Sequence, residues 1–348
     1  MGAFADDSAN DFTAFNAASL KAWEAAAREE LNGENPWEKL DRRGDGWAIR
    51  PFYSGGNAAN TAPIIEVSGN EYLGARAWYN CPRILVSDTQ KANELALRYL
   101  QHGADGILFE LLDTVNFDAL LEKIDPGYCS LNFLVRNNQL QVAAALRQFL
   151  DGRIATASML PGAFFGDECT TTSTESNFRF SGFSIPDHAN PSESIAAGFR
   201  IFSEQIFDHN QLAVSVNLGT DFFIELCKLR AIRHVWKKLI EKRKLTHSQL
   251  LIHAVSTPWV EKNFEPHGNM LKATTAAMAA ILGGCDLLTV DAENNDQMMM
   301  SRIARNVSNI LREESFLSKV ADPTAGSYFI EDLTQQIAEG AWKIIEKS

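Results

Sequence analysis

The sequence of 348 residues contains no run of about 18 uninterrupted apolar residues, so no segment reads as membrane-spanning. Its opening, MGAFADDSANDF, lacks the basic and apolar regions of a secretory signal. Positive charge is also short: 32 basic against 44 acidic residues give a net charge of −12, which argues against a nucleic-acid or anionic-membrane partner. Five dispersed cysteines (Cys81, Cys129, Cys169, Cys227, Cys285) form no C-x-x-C pair, so neither a disulfide frame nor a zinc site is expected. They read as reduced core thiols of a cytoplasmic protein. No G-x-G-x-x-G or G-x-x-x-x-G-K-[ST] follows any strand-like run, which removes the usual dinucleotide and P-loop readings. The histidines (His102, His188, His209, His234, His247, His253, His267) show no metal-ligand spacing.

What is present is a soluble-type composition, 45% hydrophobic and 22% charged, long enough for one large domain or two modest ones. Residues 11–31 carry one helical pattern, ended by Pro36 and the RRGDG stretch at 42–46. The aromatic residues of this opening arm need a surface to cover, their own domain's or a partner's. From about residue 76 onward, strand-like runs alternate with amphipathic stretches. The runs are 78–86, 106–111, 128–135, 153–159, 178–184, 211–219, 250–256 and 285–292. Eight such units predict an α/β fold, a (β/α)8 TIM barrel with an N-terminal helical arm; a doubly wound open sheet is the alternative. The division expected is 1–75 for the arm and 76–348 for the barrel.

Alternation within these runs places Ser130 and Asn132, Thr156 and Ser158, Ser215 and Asn217, and Thr289 on one face. Leu131, Phe133, Val214, Val216, Leu288 and Val290 fall on the other, suited to packing under helices. An interior lined with small polar groups either holds a polar ligand along its axis or satisfies its hydrogen bonds internally. Phe183, Met159 and Leu134 are candidates to plug such a channel.

The carboxy-terminal third is the most informative. NMLKATTAAMAAILGGCDLLTV (269–290), SRIARNVSNILREES (301–315) and VADPTAGSYFIEDLTQQIAEGAW (320–342) follow one another. Arg302 and Arg305, three apart on one helical face, suit a phosphate or carboxylate, or else pair with Glu313 or Glu314. Together the three blocks resemble the end of the substrate barrel in methylmalonyl-CoA mutases. DFFIELCKLRAIRHVWKKL (221–239) is similar to that family's F-x-E-x-x-K-L-R-A-x-R-x-x-W helix, HAVSTPW (253–259) to its H-x-Q-T-S-G-W strand end, and 36–55 to its opening segment. The likeness runs over about residues 10–345, strongest from 221.

The resemblance implies a barrel whose axis admits the pantetheine arm of CoA, and adenosylcobalamin as the cofactor of the radical isomerisation of methylmalonyl-CoA and succinyl-CoA. The departures fall at the catalytic positions. Active members carry Tyr-His after a Ser-Gly; here Phe183 and Ser184 follow Ser181 and Gly182. Serine cannot become cationic and polarises a carbonyl less than histidine. Val255 replaces an amide donor, Pro258 stands at a glycine, and Arg83 takes a position where active members place a tyrosine. No arginine in 156–168 matches the carboxylate-gripping strand end, and no D-x-H-x-x-G supplies an axial histidine, so a cobalamin-binding domain is not expected in this chain. These losses resemble the small, non-catalytic subunit of heterodimeric mutases, the cofactor being held by the partner chain. The expected partner is a catalytic large subunit, or a second copy in a homodimer, with a CoA thioester as a further ligand. Ser130, Asn132, Ser215, Asn217 and His253 are the substrate- or cofactor-facing candidates; His253 is otherwise a hydrogen-bonded core imidazole. The alternative is an acyl-CoA mutase barrel with a variant active site, working with a separate cobalamin-binding chain.

Overall fold

The computed structural model describes residues 19–54, 71–151, 161–166, 178–204, 211–244, 249–257, 268–294 and 298–347. The helical pattern of the arm appears as α1 (Leu20–Glu30), capped by the Ser19 hydroxyl accepting from Ala22 N. It is followed by α2 (Pro36–Lys39) and by an antiparallel hairpin, β1 (Arg42–Gly44) with β2 (Trp47–Ile49). Gly46, at φ +79°, makes this turn, a conformation glycine takes without strain. In the sequence this stretch reads only as a helix stop.

The body of the protein is mixed α/β, with ten parallel-paired strands in two five-stranded sheets. In chain order they are β3 (Tyr79–Asn80), β4 (Arg83–Val86), α3 (Thr89–Gln101), β5 (Gly106–Leu111), α4 (Phe117–Leu120), β6 (Ser130–Val135), α5 (Gln139–Asp151), β7 (Gly162–Phe165), β8 (Phe178–Arg179) and β9 (Gly182–Ile185). Then come α6 (Pro191–Glu204), β10 (Gln211–Leu218), α7 (Phe222–Arg243), β11 (Gln249–Ser256), α8 (Gly268–Gly283), β12 (Leu287–Val290), α9 (Met298–Glu313) and α10 (Tyr328–Glu346). One sheet runs β4-β5-β6-β7-β8 and the other β3-β12-β11-β10-β9.

The two sheets draw on the same stretches of chain at both of their borders. Residues 79–86 pair with β12 through β3 and with β5 through β4, and Asp105 N donates to Asn80 O at 2.9 Å between them. Residues 178–185 pair with β7 through β8 and with β10 through β9, with Gly166 N donating to Gly182 O at 3.1 Å. Pro82, which lacks an amide hydrogen, sits at the break between β3 and β4. The run at 78–86 is therefore two short strands, as is the run at 178–184. The run at 153–159, with Thr156, Ser158 and Met159, lies outside the described residues.

The alternation places side chains as the sequence analysis expected. Leu131 and Phe133 join a cluster beneath α3, α4 and α5, whereas Val214, Val216, Leu288 and Val290 join one beneath α6 to α10. A third cluster, formed by Cys81, Leu108, Ala163, Phe165, Ala213, Leu251 and Leu287, fills the opposite faces of the strands. Four of the cysteines, Cys81, Cys129, Cys227 and Cys285, are buried and unpaired. Burial pushes the thiols of Cys129, Cys227 and Cys285 up to about 12, so they are inert core groups.

Motif residues tie the carboxy-terminal third together. Arg230, fully buried on α7, donates to Asp322 at 2.8 Å, Thr324 at 3.0 Å and Glu331 at 2.9 Å. Arg233 reaches Asp286 at 2.9 Å and the carbonyls of Leu250 and Gly284. Arg312 of α9 grips Asp105 through two donors, at 2.7 and 3.1 Å, and the carbonyl of Trp78. Charges this deep persist because their terminal amino groups meet carboxylates and carbonyls, although each Nε is buried without a partner. The arm is anchored as well: Gln336 on α10 exchanges hydrogen bonds with both backbone groups of Ala48.

Candidate functional site

The third cluster occupies the inner faces of the strands, the place where a polar ligand was one expectation. Strand register brings Ser215 of β10 beside His253 of β11, and His253 beside Leu287 of β12. The imidazole Nδ1 shares a hydrogen bond with Ser215 Oγ at 2.9 Å, and Nε2 with Thr289 Oγ1 at 2.9 Å. Thr289 Oγ1 in turn donates to Cys81 O. Phe165 stacks on the ring at 5.2 Å, closing its face. Burial, with a smaller contribution from the Arg83 guanidinium, lowers the His253 pKa to about 3. Both ring nitrogens are spent on protein partners and the ring stays neutral near pH 7.

Ser130 and Asn132 form a similar closed set on β6. Asn132 Nδ2 donates to Ser130 Oγ at 3.0 Å and its Oδ1 accepts from Ala163 N at 3.1 Å, while Ser130 Oγ donates to Pro161 O at 2.5 Å. Asn217 lies farther along β10, half-buried, and donates to Asp187 at 3.0 Å. Of the five candidates, Ser130, Asn132, Ser215 and His253 are buried and bonded within the protein; Asn217 stands at the strand ends.

Those carboxy-terminal strand ends carry a charged network. Arg83 of β4 pairs with Glu110 of β5 at 3.3 Å and with Asp291, just after β12, at 3.1 Å; Arg136 pairs with Glu110 at 2.9 Å. Burial raises the Asp291 pKa, with Arg83 opposing and Glu110 adding to the rise. Arg83 therefore serves as the counter-ion of two carboxylates that would otherwise repel each other. Sequence reasoning placed Arg83 here but missed both partners, which are far apart in the chain.

The substituted positions separate by face. Ser184 pairs in register with Ser215 and is exposed at the inner side of β9. Phe183 points the other way, into the helix-side core, edge-on to Phe199 at 6.0 Å. It does not plug the interior as the sequence analysis allowed. Phe165 and Leu134 contribute there instead; Phe165, in the GAFF run of 162–165, was the missed residue. Val255 is buried two positions beyond His253, on the same face of β11.

Parallel strands under a helical cover, inner-face polar groups around His253 and Asn132 bonded within the protein and a paired set of charges at the strand ends define a mixed α/β scaffold. Comparison with known proteins gives its kin. Residues 205–348 match the family described as Methylmalonyl-CoA mutase. The chain is 27% identical to the methylmalonyl-CoA mutase small subunit of Porphyromonas gingivalis, over 96% of this chain and 63% of that protein. It is 25% identical to the small subunit of Streptomyces virginiae, over 87% of this chain and 58% of that one. The mitochondrial methylmalonyl-CoA mutase of Bos taurus is 38% identical over 37% of this chain and 18% of its own length. The chain is thus similar to the methylmalonyl-CoA mutases over its carboxy-terminal part and, over most of its length, resembles their small subunits at modest identity. It spans less than two thirds of the length of these relatives.

Proposed function

We propose that this chain is a non-catalytic partner of a catalytic mutase large subunit, a retained substrate-barrel scaffold that turns over no acyl-CoA itself. The observation that carries the reading is the interior. His253 has both nitrogens engaged and Phe165 against its face, Asn132 is bonded on all sides, and a cluster of apolar side chains occupies the same space. A pantetheine arm threading the strands would have to displace these groups and leave buried donors unpaired, at about 1–3 kcal/mol each.

The paired borders of the two sheets support closure into an eight-unit barrel, in which 79–86 and 178–185 each act as one bent strand. Residues 76–348 are then the barrel and 1–75 the arm.

Adenosylcobalamin supplies radical chemistry when bound to active mutases. The residues here do not fit the task of positioning a thioester beneath it: Ser184 is the only hydroxyl at the inner edge of β9, and Arg83 is spent on two carboxylates. We therefore assign the cofactor to the partner chain, and place the chain in the cytoplasm with that partner. Among the described residues no helix is long and apolar enough to cross a membrane.

The test is co-expression with a catalytic large subunit, followed by size-exclusion chromatography with light scattering. A stable 1:1 complex, active in methylmalonyl-CoA isomerisation and unaffected by Ser184→Ala here, is expected. Failure to associate would remove the partner role.

A further inference from the structure

Away from the strand ends, α3 and α9 enclose a groove of about 930 Å³ on the outside of the fold. Three arginines line it: Arg98 on α3, and Arg302 and Arg305 on α9. No carboxylate is among its described lining residues, although the chain as a whole has 44 acidic side chains. The expected pairing of Arg302 or Arg305 with Glu313 or Glu314 is not made.

Arg305 is only 7% exposed, and its Nε donates to His102 O at 3.1 Å while its guanidinium lies 5.0 Å from the Tyr99 ring. Its two terminal amino groups have no protein partner among the described residues. Arg98 and Arg302 are exposed, and the Arg98 guanidinium donates to the sulfur of Met298 at 2.8 Å. Desolvation lowers the Arg305 pKa, with Tyr99 opposing and Arg302 and Arg98 adding to the fall. The first turn of α9 opens at the same place with no acidic residue, so the helix dipole adds to the positive field. Leu95, Tyr99, Met298 and Met299 give the wall an apolar and aromatic part, His102, Ser301 and Asn306 add polar groups, and the two methionines are largely exposed.

We propose that this groove binds a nucleoside polyphosphate, its phosphates held by Arg98, Arg302 and Arg305 and its base against the methionines and Tyr99. The volume suits a ligand of that size, and guanidinium forks suit phosphate oxygens. This inference does not rest on the partner role proposed above.

The experiment is isothermal titration of the whole chain with ATP, inorganic pyrophosphate and adenosine at low salt. Saturable 1:1 binding of ATP in the sub-millimolar range is expected, weakening as salt screens the site. Arg98→Ala and Arg302→Ala, both at exposed positions, should each weaken it about tenfold without moving the thermal midpoint. ATP should bind at least about tenfold tighter than pyrophosphate, and adenosine should not bind measurably. No saturable ATP binding, or binding that survives the double substitution, would overturn the site. Equal affinities for ATP and pyrophosphate would overturn the nucleotide assignment.

Discussion

Ser215 and His253 face each other across neighbouring parallel strands, Oγ to Nδ1 at 2.9 Å, with Thr289 completing the contact on the far side of the ring. The triad is buried and satisfied without any ligand. Replacing His253 with alanine removes a packed ring and takes a partner from Ser215 and from Thr289, which keeps its bond to Cys81 O. His253→Ala should cost about 3 kcal/mol, read as a lowered urea midpoint, whereas His253→Gln, which keeps a donor and an acceptor, should cost less. Equal costs would show that hydrogen bonding contributes little here.

The same burial makes stability depend on pH. In the unfolded chain a histidine titrates near 6.5; in the fold His253 is held at about 3 and His234 at about 4, both chiefly by desolvation. Between those values the unfolded chain binds more protons than the native one, so stability falls as pH drops below about 6.5. Asp322, raised by desolvation but held low on balance by Arg230 and the Thr324 hydrogen bonds, extends the loss into the carboxylate range. His253 alone should contribute about 1.4 kcal/mol per pH unit across its window. Urea midpoints at pH 7 and pH 5 test this, and His253→Gln should flatten the slope.

Arg83 holds Glu110 and Asp291 together at the strand ends. Arg83→Met should destabilise by about 2 kcal/mol, less than a fully buried pair because the site is partly open to water. Adding Asp291→Asn should recover part of that loss, and the double-mutant cycle should give a non-zero coupling. Additive effects would contradict the network.

Arg230 has no such access to water. Arg230→Met leaves Asp322 and Glu331 without their buried cation and should cost about 3–5 kcal/mol. Thermal denaturation with circular dichroism reads this directly, and an unchanged midpoint would refute the role given to the motif arginine.

Much of this was legible in the sequence because period-two alternation and helix periodicity are local properties. β5, at 106–111, falls where its run places it, and the two faces of β10 and β12 carry the side chains expected of them. The break at Pro82 and the hairpin at 42–49 were not read, since short strands leave little periodicity. The site was harder. Which way Phe183 points depends on the register of β9 against β10, and the partners of Arg83 lie 27 and 208 positions away in sequence. The mutase-like blocks at 221–239 and 320–342 were visible as text; the Arg230–Asp322 contact that joins them needed coordinates.

Turnover is the most direct test of the scaffold reading. This chain, purified alone and mixed with adenosylcobalamin, methylmalonyl-CoA and a separately supplied cobalamin-binding domain, should yield no succinyl-CoA, and Ser184→His should not restore it. Steady formation of succinyl-CoA by the unmodified chain under those conditions would contradict the account.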